Sequence, residues 1–431
     1  MVVLFKALQV ILALSILIIV HEFGHFLFAR LFGIRVEKFY LFFDIGGKAI
    51  ARWRWGETEF GIGWLPFGGY CKISGMVDES VDMDQLKSEP KPWEFRTKPA
   101  WQRLFVLAGG VLFNFIFAII AYSVISGIWG SAYISNAESS IYPNELAREM
   151  GFRPGDRVLM LDDYVPEDFG MLQADLARRE VRCATVLRGQ DTVRLYIDQS
   201  MMGEVLNTPM MFDLAMPFVV DSVASKANSE VLRRGDRVLS IEGVDAEFLQ
   251  DASPILAEHA GEDVTVTVQR GSEVLDLSLQ VDTSGRVGVF LEQPVIKRQT
   301  YKGLSALSAG LKRTGSTIGG YLKDLKMVFK PSTGAYKSVG SFIAIGQVFP
   351  KTWDWYQFLS ILALLSIMLG VVNLIPIPGL DGGHILFTVF EMITGRKPSD
   401  RFLYIMQLIG MALLFGLMFL AFGNDIGRLI R

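Results

Sequence analysis

Two histidines one helical turn apart, His21 and His25, flank the acid Glu22 in the stretch VHEFGH, residues 20–25. On a helix, positions four apart share a face, so both imidazoles can reach one ion while Glu22 points beside them toward a water that the ion would activate. The chemistry on offer is metal-assisted hydrolysis. A catalytic zinc ion keeps three protein ligands and one open position, so a third ligand is needed. Positions 28 and 31 are Phe28 and Leu31, which excludes the metzincin extension of the motif. Glu37, Asp44 and Glu57 would suit a thermolysin-like order but lie in or beyond a basic segment. The favoured ligand is Asp381, in GVVNLIPIPGLDGGHILF, residues 370–387. There Pro376, Pro378 and Gly379 interrupt an apolar run, and irregular backbone at membrane depth is tolerated only inside protein or along a wet cavity. His384, three residues on, competes for the role or supports it, whereas His259 belongs to a distant segment and plays no part.

These groups must be positioned by elements that lie in a bilayer. The motif sits inside LSILIIVHEFGHFLFARLF, residues 14–32, and 51% of the 431 residues are hydrophobic against 20% charged, which points to an integral membrane protein. Spans are expected at Leu4–Phe32, Leu104–Trp129, Phe358–Ile393 with an interruption, and Phe402–Phe422, each long enough for a core that needs about 20 helical residues. The first run has no cleavage site and is retained. Arg30, Arg35, Lys38, Lys48, Arg52, Arg54 and Lys72 after the first span, and Arg396, Lys397 and Arg401 before the last, place those loops in the cytoplasm. Both termini and the long segment between spans two and three then face outward, which in a Gram-negative cell is the periplasm. A net charge of −3, with no basic cluster interleaved with aromatics, excludes nucleic acid as a partner. Two cysteines, Cys71 and Cys183, exclude a disulfide framework and are expected as free thiols on opposite sides.

The outer segment repeats itself. ELAREMGFRPGDRVLMLDDYVPEDF (145–169) and SEVLRRGDRVLSIEGVDAEFL (229–249) share a Gly-Asp-Arg-Val-Leu core, with Gly155 and Gly235 in equivalent places. Each copy reads as a short helix, a Gly-Asp turn and alternating strands, and resembles a PDZ domain of the circularly permuted bacterial type. Copy two fits that signature through RRGDRVLSIEG; copy one departs at MLDDY. The resemblance implies binding of a chain end or extended peptide by strand addition; plain β spacers are the alternative. Beyond them, Leu304, Leu307, Leu311, Ile318, Leu322 and Leu325 recur at three, four and seven, predicting an amphipathic helix or helix pair along the outer membrane surface against span three. On the cytoplasmic side, TEFGIGWLPFGGYCKISG, residues 58–75, predicts a β-hairpin that dips into the membrane, with Gly61 and Gly63 on an edge that would hold an unwound substrate. Gly109 and Gly110 mark close helix packing.

HExxH in the first span together with NLIPIPGLDGG in a later one resembles the site-2 protease family of intramembrane metalloproteases, over essentially the whole chain. The resemblance implies that His21, His25 and Asp381 bind Zn2+, that Glu22 is the catalytic acid and base, and that Asn373 holds substrate backbone. It implies a fold class: a polytopic α-helical membrane protein with four transmembrane helices, a zinc site within the membrane, two inserted PDZ-like α+β domains and a membrane-reentrant β element. The expected boundaries are transmembrane helix 1 at 1–32, a cytoplasmic region at 33–100 and transmembrane helix 2 at 101–130. PDZ-like domains follow at 131–205 and 206–296, then an amphipathic region at 297–352, the broken transmembrane helix 3 at 353–394 and transmembrane helix 4 at 400–424. The substrates implied are single-span membrane proteins, such as an anti-sigma factor already trimmed by another protease, and remnant signal peptides. The PDZ-like pair would serve as size filter or gate. A noncatalytic membrane receptor with PDZ domains is the alternative from another class, and Glu22, which a pure binder does not need, argues against it. A divalent-metal transporter would need polar residues through several spans, and spans two and four offer little beyond Asn114 and Gln407.

Overall fold

The computed structural model describes residues 2–76, 89–328 and 342–430, so the parts of the 33–100 and 297–352 segments that fall at 77–88 and 329–341 lie outside the described residues. The chain forms two compact units, one from the stretches up to Gly130 and from Thr300 on, the other from Ser131–Gln299.

The longer helices of the first unit are α1 (Val2–Leu31), α2 (Ala100–Ile128), α3 (Leu304–Val328), α4 (Trp355–Leu374), α5 (Asp381–Thr394) and α6 (Asp400–Ile430). Among the described residues, four stretches are long and apolar enough to cross a membrane: α1, α2, α4 and Arg401–Ala421 within α6. The most apolar windows of α1 and α6 are only 17% and 11% buried, the pattern of helices whose outer faces meet hydrocarbon rather than protein. The interruption expected within Phe358–Ile393 lies between α4, which ends at Leu374, and the separate 14-residue α5, which begins at Asp381. Pro376 and Pro378 lack the N–H groups that would continue α4, and Gly379 turns the chain at φ +96°. That turn folds tightly back, since a Cβ on Gly382 would lie 2.2 Å from the Ile375 carbonyl oxygen.

Small residues set the helix contacts. A Cβ on Gly24 would stand 2.2 Å from the Gly109 carbonyl oxygen, so α1 and α2 cross at the distance two glycines allow. The same rule governs how α3 docks. Its leucines Leu304, Leu307, Leu311 and Leu322 are exposed, while Ala306, Gly310 and Thr314, spaced by four, are buried. A Cβ on Gly310 would meet Ser123 and Ile119 of α2. Only the lower part of the expected apolar face, Ile318 and Leu325 with Tyr321, joins the cluster around Ala118, Ile125, Ala363 and Ile367 of α2 and α4. The helix is thus docked chiefly on α2 by small side chains.

A four-stranded sheet follows α1: β1 (Val36–Phe43), β2 (Ala49–Trp55), β3 (Thr58–Gly63) and β4 (Leu65–Ile73), in the order β2-β3-β1-β4. The expected hairpin at 58–75 is corrected, because β3 and β4 do not pair with each other but flank β1. β3 runs parallel to it (Lys38↔Glu59 to Leu41↔Ile62) and β4 antiparallel (Tyr40↔Tyr70). The chain crosses over the end of β1 at Gly63, where a Cβ would sit 2.3 Å from the Phe43 carbonyl oxygen. Ile34, Val36 and Ile73 of this region share a buried cluster with Ala29 of α1 and Val106 of α2, which ties the sheet to the two helices.

The second unit holds two halves built alike. Antiparallel strands Arg157–Leu161, Cys183–Arg188 and Asp191–Tyr196 form one sheet; Arg237–Ile241, Asp263–Arg270 and Glu273–Gln280, with Val244–Asp245, form the other. In each half a short strand closes the fold from the far end: Phe212–Leu214 on Ile141–Pro143, and Val289–Leu291 on Val220–Val223. The expected boundary at 205/206 therefore moves. It falls inside the helix Met202–Asn207, and Met211 and Phe212 are buried in the first core. The shared Gly-Asp motif has one physical role in both halves. Asp156 accepts from Arg188 Nε and Nη2, both at 2.8 Å, and Asp236 from Arg270 Nε and Nη2, both at 2.7 Å. Cys71 and Cys183 form no disulfide.

Candidate metal centre

Helix α1 places His21 and His25 on its face toward α2, and α2 answers with Val106, Gly110 and Asn114, again spaced by four. Gly110 is the gap that admits the rings: a Cβ there would be 2.5 Å from both His21 Cε1 and His25 Nε2. His25 Nδ1 lies 2.8 Å from the Val106 carbonyl oxygen, an acceptor only, so Nδ1 carries the proton and Nε2 keeps its lone pair. His21 Nδ1 lies 3.1 Å from the Asn114 side-chain amide.

The first turn of α5 brings in Asp381. Its Oδ2 is 3.3 Å from His21 Nε2 and 3.4 Å from His25 Nε2, and the two Nε2 atoms are 3.3 Å apart. This near-equilateral triangle passes a direct test. Tetrahedral zinc with bonds of about 2.0–2.1 Å puts its ligand atoms about 3.3 Å from one another. Asp381 Oδ2 is buried without a hydrogen-bond partner, the mark of a donor set completed by a cation. Among the described residues this is the one trio of His, Cys, Asp or Glu side chains close enough to share an ion. The structure thus brings together His21, His25 and Asp381, the three residues put forward from the sequence.

The trio opens on a cavity of about 370 Å3 that also admits Glu22, Asn373, Tyr70, Cys71 and Lys72. The Cys71 backbone N–H donates to the Glu22 carboxylate, fixing it at the edge of β4. Asn373, at the end of α4, has its amide nitrogen 3.2 Å from His21 Nε2. Lys38, Asp44 and Lys72 line the same cavity, and Lys38 and Tyr70 bond Asp44 at 2.9 and 2.7 Å, so water has a polar path to a site set among apolar helices. Glu37, Asp44 and Glu57 are not among the trio.

His384 is not a ligand here: its Nε2 lies 3.1 Å from Gln407 Oε1, linking α5 to α6. Gly410 of α6 packs against Pro378, so the turn before Asp381 is braced from that side. At the other end of α5, Glu391 pairs with Arg103 of α2, whose Nε donates to the Lys98 carbonyl oxygen at 3.0 Å. Gly61 and Gly63 are corrected as edge residues. They lie on β3, paired with β1 on one side and β2 on the other, and Gly61 abuts the Tyr40 ring. The edge strand that lines the cavity is β4. Sequence reading missed Arg103 and Glu391, and saw Asn114 only as sparse polarity. The signal was the cost of burying such groups in a span, which makes each a functional candidate.

Comparisons with known proteins agree with this geometry. A family described as peptidase family M50 matches residues 9–417. A regulator of sigma E protease from Haemophilus influenzae is 32% identical over 97% of this chain and 98% of its own length. The regulator of sigma-E protease RseP from Salmonella typhimurium is 30% identical, over 97% and 98%. A candidate zinc metalloprotease from Vibrio cholerae is 29% identical over 99% of both chains.

Proposed function

The chain belongs to peptidase family M50, the site-2 proteases, and we propose that it is an intramembrane zinc endopeptidase cutting single-span membrane proteins once their outer domains have been removed. The observation that carries this reading is the triangle of His21, His25 and Asp381 with the spacing of a tetrahedral zinc site. Zinc held there supplies Lewis acidity, bringing the pKa of water to about 7 and polarising a peptide carbonyl.

The chain's own residues do the rest. Glu22, oriented by the Cys71 N–H, takes the proton from the attacking water at its carboxylate and passes it to the departing amine. The open cavity lets that water arrive through protein rather than lipid. A substrate span must unwind first, because its own helical hydrogen bonds shield its amides. The edge strand β4, which lines the cavity, would offer an alternative set of partners to such an extended strand. Asn373, which lines the cavity beside His21, would bond the substrate backbone next to the reacting carbonyl.

The names of the sigma-E relatives support an anti-sigma factor as one substrate, and remnant signal peptides fit the same requirement for a short, loosened span. Lysine- and arginine-rich loops support a bacterial inner-membrane placement with the second unit and both termini in the periplasm. The two halves of that unit would act there as PDZ-like size filter or gate. The competing reading, a noncatalytic PDZ receptor, gives no reason for a carboxylate beside the histidines.

The test is cleavage of a tagged single-span substrate lacking its outer domain by the purified, detergent-solubilised protein, wild type against Glu22→Gln. Cutting by wild type alone, with zinc retained in both, supports the reading. Equal cutting by Glu22→Gln would sink it.

A further inference from the structure

We propose that Asn114 is the positioning residue that fixes the tautomer and orientation of His21, by accepting a hydrogen bond from its Nδ1–H through Oδ1. This inference rests on the zinc reading above and extends it to a residue outside the HExxH and LDG motifs.

The two imidazoles face one ion through their Nε2 atoms, so both must carry the proton on Nδ1, and each Nδ1–H needs an acceptor. For His25 the acceptor is the Val106 carbonyl oxygen at 2.8 Å, which permits no other reading. For His21 the group facing Nδ1 at 3.1 Å is the Asn114 amide, drawn with its nitrogen toward the ring. That orientation opposes two donors once His21 presents Nε2 to an ion, and it leaves Asn114 Oδ1 buried with no partner. Amide oxygen and nitrogen are assigned from the hydrogen-bond network, and turning this amide over removes the clash by placing Oδ1 on the Nδ1–H.

The surroundings show that the side chain is held for this contact. Asn114 is 0% exposed in the middle of an apolar helix, where an unpaired amide is costly. Ser366 of α4 bonds its backbone carbonyl at 2.9 Å rather than its side chain, so the amide is left for His21. Val106, Gly110 and Asn114 then act as one stripe on α2: an acceptor for His25, a gap for both rings and an acceptor for His21.

The test is metal binding by the full-length protein in detergent, read by competition with a chelating dye for Zn2+ and by the visible absorption of the Co2+-substituted protein, for wild type, Asn114→Ala and Asn114→Asp. Asn114→Ala should weaken zinc binding about 10- to 100-fold and alter the Co2+ spectrum, the loss expected for an outer partner of a ligating histidine. Asn114→Asp keeps the shape and an acceptor but no donor, and should hold zinc at least as tightly as wild type. Zinc binding by Asn114→Ala within twofold of wild type overturns the proposal. Loss in Asn114→Asp equal to that in Asn114→Ala, in protein whose helical circular dichroism is unchanged, overturns it too, because the amide would then act as donor or filler. Failure of wild type itself to bind zinc would instead remove the zinc reading on which this rests.

Discussion

Two carboxylates of the second unit and one at the candidate metal centre are partnered in opposite ways. In the second unit Asp156 and Asp236 are 0% exposed, and each is completed by protein. Two nitrogens of one arginine and a backbone N–H, from Arg153 at 2.9 Å or Arg233 at 2.8 Å, saturate each of them. In the membrane unit Asp381 meets no arginine among the described residues, and its buried Oδ2 faces the Nε2 atoms of two imidazoles. A completed carboxylate holds a turn in place. An incomplete one among lone pairs repels its neighbours until a cation joins them, so the difference separates a structural acid from a ligand by partners alone.

The sharpest way to use that contrast is to remove chemistry without removing fold. Glu22→Gln should lower the cleavage rate about 10²- to 10⁴-fold, the range for a lost general base, while zinc content stays at the wild-type level. A small effect would mean that the cavity's acid does no proton transfer. Next in size is Asp236→Asn, which leaves the Arg270 guanidinium beside a neutral amide. It should destabilise the second unit by about 2 kcal/mol, seen as faster protease nicking of Ser131–Gln299 in urea, with bound zinc unchanged. Zinc loss in this variant would break the distinction between the two kinds of acid. Glu391→Gln, at the far end of α5 from Asp381, should cost about 1 kcal/mol and weaken zinc retention only severalfold, since the Pro378 turn and Gly410 brace the ligand independently.

The smallest expected effect is in pH. Burial pushes the Asp236 carboxyl up, but the Arg270 hydrogen bonds outweigh it and hold it below the usual carboxylate range. A folded-state value below the unfolded one, about 3.9, gives stability that is complete above that pH and lost as pH falls through the folded value. The gap in protease resistance between wild type and Asp236→Asn should therefore be full at pH 6 and shrink below about pH 4. A gap that widens in acid would reverse the sign assigned here.

The parts of this account that were legible in the sequence are those in which spacing or backbone chemistry forces geometry. His21 and His25 had to share a helix face, and two prolines before Asp381 had to end a helix. The Gly-Asp repeat announced two like halves because one buried ion pair recurs in both. What was not legible came from contacts that sequence order hides. β3 and β4 are neighbours in the chain, which suggests a hairpin, yet β1 lies between them. The leucines of α3 announced an amphipathic helix, but not that it docks on α2 through Ala306, Gly310 and Thr314. Asn114 was visible as a polar residue in a span, but its partner, 93 positions away, was not.

The central claim is that Asp381 is a metal ligand and not a structural acid, and the zinc content of Asp381→Asn tests it most directly. Wild-type and variant proteins, purified in detergent and dialysed against a weak chelator, would be assayed for zinc by mass spectrometry, with circular dichroism to confirm equal folding. The account predicts about one zinc per wild-type chain and little in the variant, with the helices intact. Equal zinc in the two proteins would contradict it.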